Sequence, residues 1–409
     1  MYCKDNPDVK PKEINNAIMN LKGIANRQIG VIELDHMLDI DEVTEIFIRI
    51  NSKGTALSQS DFVMSKMAAD TIHGGNTLRK VVDYFCHLAV KPDFYSQMVK
   101  DDEFDNTEYA AKIKWLARDN EDIYDPDYND MLRVAFMYSF DRAKLADLVS
   151  LLSGRDFETR EFKEDIVEDS YNRLREGIKQ FINEHNFNQF VLAIKGAGYK
   201  SRKQLGSQMT LDFAYLLYLK LLNDSEIPHD QIKHHVQKWF VLSTLTGRYV
   251  GSPESVMSRD IRLMNEKGFI NFFNEVESSV LSDTFWTITL PQNLETTSTN
   301  SPAFNTFLAA QVNMNCNSLF MHGTMISDLI NISGDVHHIF PKAYLKRNGV
   351  EAKGRYNQVA NYTYLDTQVN KAVRDDAPNI YFGKVIEQCE NGNIAFGNIS
   401  DKGTMMKNL

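Results

Sequence analysis

Cysteine is scarce in this 409-residue chain: there are four, Cys3, Cys86, Cys316 and Cys389, and no two form a CxxC pair. That excludes a disulfide framework and a four-cysteine zinc site of ordinary spacing. Free thiols in a reducing cytoplasm are the expectation. Long apolar runs are also missing. The most apolar stretch, Leu211 to Leu222, is broken by Asp212 and Lys220. It falls short of the ~20 residues that span a bilayer, so it reads as a buried helix and no membrane partner is expected. The first residues, MYCKDNPDVKPKEINN, are polar, which excludes a signal peptide there. Positive charge is in deficit, with 45 Lys and Arg against 55 Asp and Glu and a net charge of −10. Whole-molecule attraction to nucleic acid or acidic lipid is thereby excluded, although a local basic site is not. No internal repeat and no low-complexity segment is evident.

What is present suits a soluble globular protein. Apolar residues make up 43% of the chain and charged residues 24%, enough to bury real cores. The length predicts two or three domains. Residues 1 to about 30 read as a helical tail, and VIELDHML at Val31 to Leu38 as a short strand. A turn follows at about Gly54, then a helix capped by Ser58 or Ser60. From about Asn76 to Ile288 the pattern is helical almost throughout. Phe162, Ile166, Val167, Tyr171, Leu174, Ile178, Phe181 and Ile182 form one apolar stripe. Similar stripes cover Leu211 to Leu222 and Ile232 to Leu245, the latter opened by Pro228. LPQNLETTSTNSP, Leu290 to Pro302, reads as a linker. The expected domains are 1–75, 76–300 and 301–409.

Beyond Pro302 the character changes. MISDLINISGDVHHIF reads as partly extended, NYTYLD as a short strand, and NKAVRDDAPNIYFGKVIEQCEN as helix, break, helix. Strand, loop, strand, helix is a small ββα unit. The expected fold is therefore α+β and predominantly α-helical, a helical middle followed by a C-terminal ββα unit.

That unit holds two adjacent histidines, His337 and His338, out of ten in the chain. Twenty-two residues separate His338 from Asn361, eight separate Asn361 from Asn370, and three separate Asn370 from Arg374. Phosphodiester hydrolysis needs a proton acceptor near neutral pH, and imidazole, with an ordinary pKa of ~6.5, supplies it. It also needs a divalent cation, which an imidazole nitrogen and an amide oxygen can hold while leaving positions open. Neighbours at a strand end point to opposite sides, so one histidine can face a metal and the other the attacking water. Between Asp335 and Arg374 seven basic residues, among them Lys342, Lys371 and Arg374, stand against three acidic ones, a local surplus of +4 suited to phosphate. The second adjacent pair, His234 and His235, lies on a predicted helix and is given no function.

DVHHIFP, NYTYLD and NKAVR together resemble the HNH, or His-Me finger, nucleases. The resemblance implies DNA cleavage with Mg²⁺ or Mn²⁺, with His337 and Asn370 as metal ligands, His338 as general base and Asn361 as the residue that orients the loop and the base. Arg374 departs from the ligands some relatives carry there, so it is assigned to phosphate, with Lys371 and Lys342 as further DNA contacts. FIRINSKGTALSQSD, Phe47 to Asp61, is similar to a motif of the ParB-like N-terminal domain of GmrSD-type modification-dependent restriction enzymes, which also carry a C-terminal HNH-type domain. That likeness implies prokaryotic defence against foreign or modified DNA, and a homodimer or partner subunit where both strands are cut. Arg49, Asn51 and Gly54 would be the remnant of a nucleotide site. The family's Asp-Gly-Gln-Gln-Arg string does not occur here, so half of that pocket is expected to be absent and no NTP hydrolysis is expected from this chain. The alternative function is a non-catalytic DNA-binding or regulatory subunit that retains the nuclease fold.

Overall fold

A computed structural model describes residues 10–24, 31, 33–34, 46, 57–118, 123–157, 159–295, 298–332 and 334–409. Val31 to Leu38 and the Arg49, Asn51 and Gly54 motif fall wholly or largely outside the described residues. The chain divides into two compact units, Met1–Leu57 and Ser58–Leu409. In the first, helix α1 covers Pro11–Ile24.

The second unit opens with α2, Gln59–Ala69, capped by Ser58, whose hydroxyl accepts the Asp61 N–H while the Asp61 carboxylate accepts the Ser58 N–H. This reciprocal pair satisfies two otherwise orphaned backbone donors. Val63 and Met67 of α2 enter the main core, so the body starts here rather than at residue 76. Helices α3 (Gly75–Val90), α4 (Tyr128–Phe140), α5 (Glu164–Phe181), α6 (Glu184–Gly196), α7 (Gln208–Leu221), α8 (His229–Thr246) and α9 (Pro253–Lys267) follow. Pro228 stands where expected, at the start of α8, and the predicted stripe lies on α5 except for Phe162, which is exposed and paired in a β-bridge ahead of the helix.

Helix α7 is buried on all sides, from Thr210 through Leu219, as an all-round apolar helix must be. It packs on α4 and α8. The Tyr215 hydroxyl donates to the Phe181 carbonyl at 2.7 Å, which lets the phenol be buried without an orphaned donor. Among the described residues, the helical body carries β-structure only as the isolated bridge Arg155–Phe162. No described helix is long and apolar enough to cross a membrane. Arg248 is engaged in a two-pronged bond to buried Asp260, at 2.7 Å on each side.

The linker expected over Leu290 to Pro302 is shorter than that. Leu290–Leu294 is helical, continuous with a π-helical turn at Phe285–Thr289, and Ser301 already caps α10, Pro302–Asn313. Helix α11, Ile326–Ile332, takes a stretch that the Ile-rich sequence suggested as partly extended. Strand β1 (Gly334–His338) then pairs antiparallel with β2 (Tyr362–Asp366), Gly334 opposite Asp366 and His338 opposite Tyr362. Helix α12, Thr367–Val373, and α13, Pro378–Asn391, complete the predicted strand, loop, strand, helix order.

Candidate functional site

The two-stranded sheet lies between two small cores. Leu365, Val369, Val373, Tyr381 and Val385 form one, and Phe304, Leu308, Val312, Ile326, Val359 and Tyr362 the other. Because successive strand residues face opposite ways, the last two residues of β1 are shared between them. His337 meets Tyr381, ring edge to ring face at 6.2 Å. His338 meets Tyr362, at 5.1 Å in a T-shaped contact. Gly334 is required at the start of β1, since a Cβ there would lie 2.0 Å from the Tyr364 ring.

His337 is 4% exposed. Its Nδ1 sits 2.7 Å from Oδ1 of Asn370, the fourth residue of α12 and 33 positions away in the chain. With the amide oxygen accepting, Nδ1 carries the proton and the lone pair is on Nε2, which is buried without a partner. Burial holds the His337 pKa below the ordinary value, against the raising effect of the Asn370 bond, and His338 lowers it further. The ring is thus neutral, the form that binds metal. Neutral imidazole and amide oxygen fit a divalent cation. The 2.7 Å contact is an Nδ1–H···Oδ1 hydrogen bond, so both atoms could hold one cation only with the ring proton moved to Nε2, as ligands about 2.1 Å from a small cation and about 3 Å from each other. A cation could equally take the orphaned Nε2, with Asn370 fixing the tautomer from behind the ring. Among the described residues no three His, Cys, Asp or Glu converge as a metal-holding group.

His338 makes a different contact from any the sequence suggested. Its Nε2 lies 2.8 Å from Oδ1 of Asn357, in the loop between the strands. Asn357 carried no signal in the sequence. It lies outside the matched spacing, and only the path of the loop brings it over β1. Asn361 touches neither histidine in these hydrogen bonds. It ties the loop instead: its Oδ1 accepts the Phe340 N–H at 2.7 Å, and its amide donates to the carbonyls of Phe340 at 3.1 Å and Tyr356 at 2.9 Å. Its own carbonyl accepts the Ile339 N–H. Asn361 thus holds the loop, whereas the hydrogen bond to His338 comes from Asn357.

Around this site the basic residues are exposed. Lys342 and Lys346 both lie over the Tyr356 ring, at 5.6 and 5.8 Å. Lys371 projects from α12, and Arg374 stands at its C-terminal end with φ 57° and ψ −130°, a conformation an L-residue rarely adopts. Arg347 is instead paired with Asp375. No protein family, curated protein or solved structure matches the chain.

Proposed function

We propose that the chain is a divalent-metal-dependent DNA endonuclease, with the β1–β2–α12 unit as an HNH-type active site. The observation that carries this reading is the meeting of His337 and Asn370 at 2.7 Å across 33 residues, on a ββα scaffold and at the spacing that resembles the nuclease motif. His337 and Asn370 would hold Mg²⁺ or Mn²⁺, which when bound supplies positive charge to the phosphate and the leaving oxygen. His338 accepts the proton of the attacking water. Asn357 holds the Nε2–H of His338, so Nδ1 is the nitrogen left with a lone pair. Asn361 keeps the loop that carries Asn357 closed on Phe340. Lys342, Lys371 and Arg374 offer exposed cations to the DNA backbone. The likeness at both ends of the chain supports a cytoplasmic role in prokaryotic defence against foreign or modified DNA, with a second copy or a partner subunit where both strands are cut.

A second reading, a DNA-binding or regulatory subunit that retains the fold without cutting, draws on two features: His338 Nε2 is engaged by Asn357, and His337 is nearly sealed from solvent. Supercoiled plasmid, modified and unmodified, separates the two. The nuclease reading expects nicked or linear product with Mg²⁺ or Mn²⁺ and none with EDTA, whether or not nucleotide is added. DNA binding without cleavage under any of these ions would favour the second.

A further inference from the structure

The helical body holds a cavity of about 1030 Å³ that the reading above leaves unused. It lies between the short turns around residues 95 and 112–118, the last turn of α5 and the first of α6. Trp115 forms part of its wall. One side of the indole packs into the core, against Phe85 at 6.0 Å and Phe187 at 5.5 Å. The ring is therefore held rigidly while the residue still lines the cavity, and its Nε1 is buried with no hydrogen-bond partner. Tyr95 lines the same space.

Charge adds a second requirement on the occupant. Four cations line the cavity, Lys112, Lys114, Lys179 and Arg118, against two carboxylates, Glu176 and Glu184. Lys112 and Lys179 are engaged by Glu108, and Lys179 also by Glu176. Lys114 and Arg118 have no acidic partner among the described residues. A fixed aromatic wall and two exposed cations with no acidic partner among the described residues are matched together by one kind of ligand: a flat aromatic ring joined to an anion. Rings stack on a preset aromatic surface at little entropic cost, and the anion answers the lysine and arginine.

We infer that this cavity binds a nucleoside monophosphate unit, either free or as a residue of a DNA single strand, with the base against Trp115 and the phosphate toward Lys114 and Arg118. The volume is at the upper end of ordinary ligand pockets and holds one nucleotide with room for a neighbour. This site is independent of the nuclease reading, because none of its residues belongs to the ββα unit.

The test is a fluorescence titration of the full chain with three probes: deoxyadenosine monophosphate, a short single-stranded oligodeoxynucleotide and inorganic phosphate. Base stacking should quench tryptophan emission saturably, and Trp115→Phe, which keeps the ring packed on Phe85 and Phe187, should lose the quench. Lys114→Glu and Arg118→Glu, both at exposed positions, should each weaken binding about tenfold or more while the thermal melting temperature stays put. Quenching by mononucleotide supports a free ligand. Quenching by the oligonucleotide alone supports a strand as the source. No saturable binding by either, binding that the charge reversals leave unchanged, or phosphate binding as tightly as the nucleotide would overturn the proposal, the last leaving an anion site only.

Discussion

At the residue scale the informative contact is the one that the sequence did not offer. His338 is held by Asn357, and the bond makes a chemical assignment: an oxygen acceptor at Nε2 requires the proton there and leaves Nδ1 to take one up. Asn357 is thus a positioning residue, and substitution to a carboxylate tests it without changing shape. Asn357→Asp places a negative charge against the imidazole, which favours its charged form. The acid limb of the cleavage pH profile should move up by about one unit, while Asn357→Ala should cost less than loss of His338 itself. A limb that stays in place in the Asp variant would show that Asn357 does not act through His338. The His337–Asn370 pair, by contrast, was legible in advance, because it is carried by spacing along the chain and by strand–helix order. A loop contact such as Asn357 is not, since its geometry depends on the path of the 23 residues between the strands.

At the element scale the sequence was readable wherever periodicity and capping agreed. The stripe read from Phe162 to Ile182 became α5 apart from its first residue, and Ser58 capped α2. It misled where composition pointed one way and packing another. Ile326–Ile332 is rich in β-branched residues, yet it is helical and rests against both strands and α10, a case of tertiary context overriding propensity. Leu290–Leu294 carries Pro291 in its first turn, where a helix tolerates it, and the polar residues around it read as linker. The β1–β2 pair itself depends on close approach at Gly334. Gly334→Ala should destabilise the unit by roughly 1–3 kcal/mol through overpacking against Tyr364, read as faster amide exchange in both strands and reduced cleavage. Adding Tyr364→Ala should recover part of the loss, as expected for residues in contact. Strictly additive effects would place the constraint elsewhere.

At the scale of the whole molecule, the helical body contains a buried charge problem that the sequence only hinted at through Asp212 in its most apolar run. Asp212 is fully buried, 3.5 Å from the Arg133 guanidinium, which Glu254 also engages at 2.9 Å. Asp130 lies on the adjoining α4 and is 5% exposed. Burial raises both carboxyls, and Asp130 raises Asp212 further; Asp130 is pushed up to about 7, with Asp127 adding to the rise and its N–H and Arg133 opposing it. An acid whose folded pKa is raised keeps its proton longer in the folded state. Its stability cost is absent below the unfolded value near ~4 and grows as pH rises toward 7. Asp130→Asn keeps the acceptor for the Asp127 N–H and removes the charge. Its gain over the wild type should be near zero at pH 4 and on the order of 3 kcal/mol at pH 8, measured as urea midpoints across that range. A gain that does not depend on pH would mean that Asp130 has the same pKa in the fold as in the unfolded chain.

The account as a whole turns on the two neighbouring histidines having different tasks, and a divalent-ion titration of plasmid cleavage by the wild type, His337→Ala and His338→Ala compares them directly. Loss of the general base should lower the rate by about 10²–10⁴-fold at every ion concentration. Loss of the ligand should give a defect that rising Mg²⁺ or Mn²⁺ partly relieves. Rescue of His338→Ala but not of His337→Ala would exchange the two roles, and wild-type cleavage by both variants would contradict the assignment of this site as the active centre.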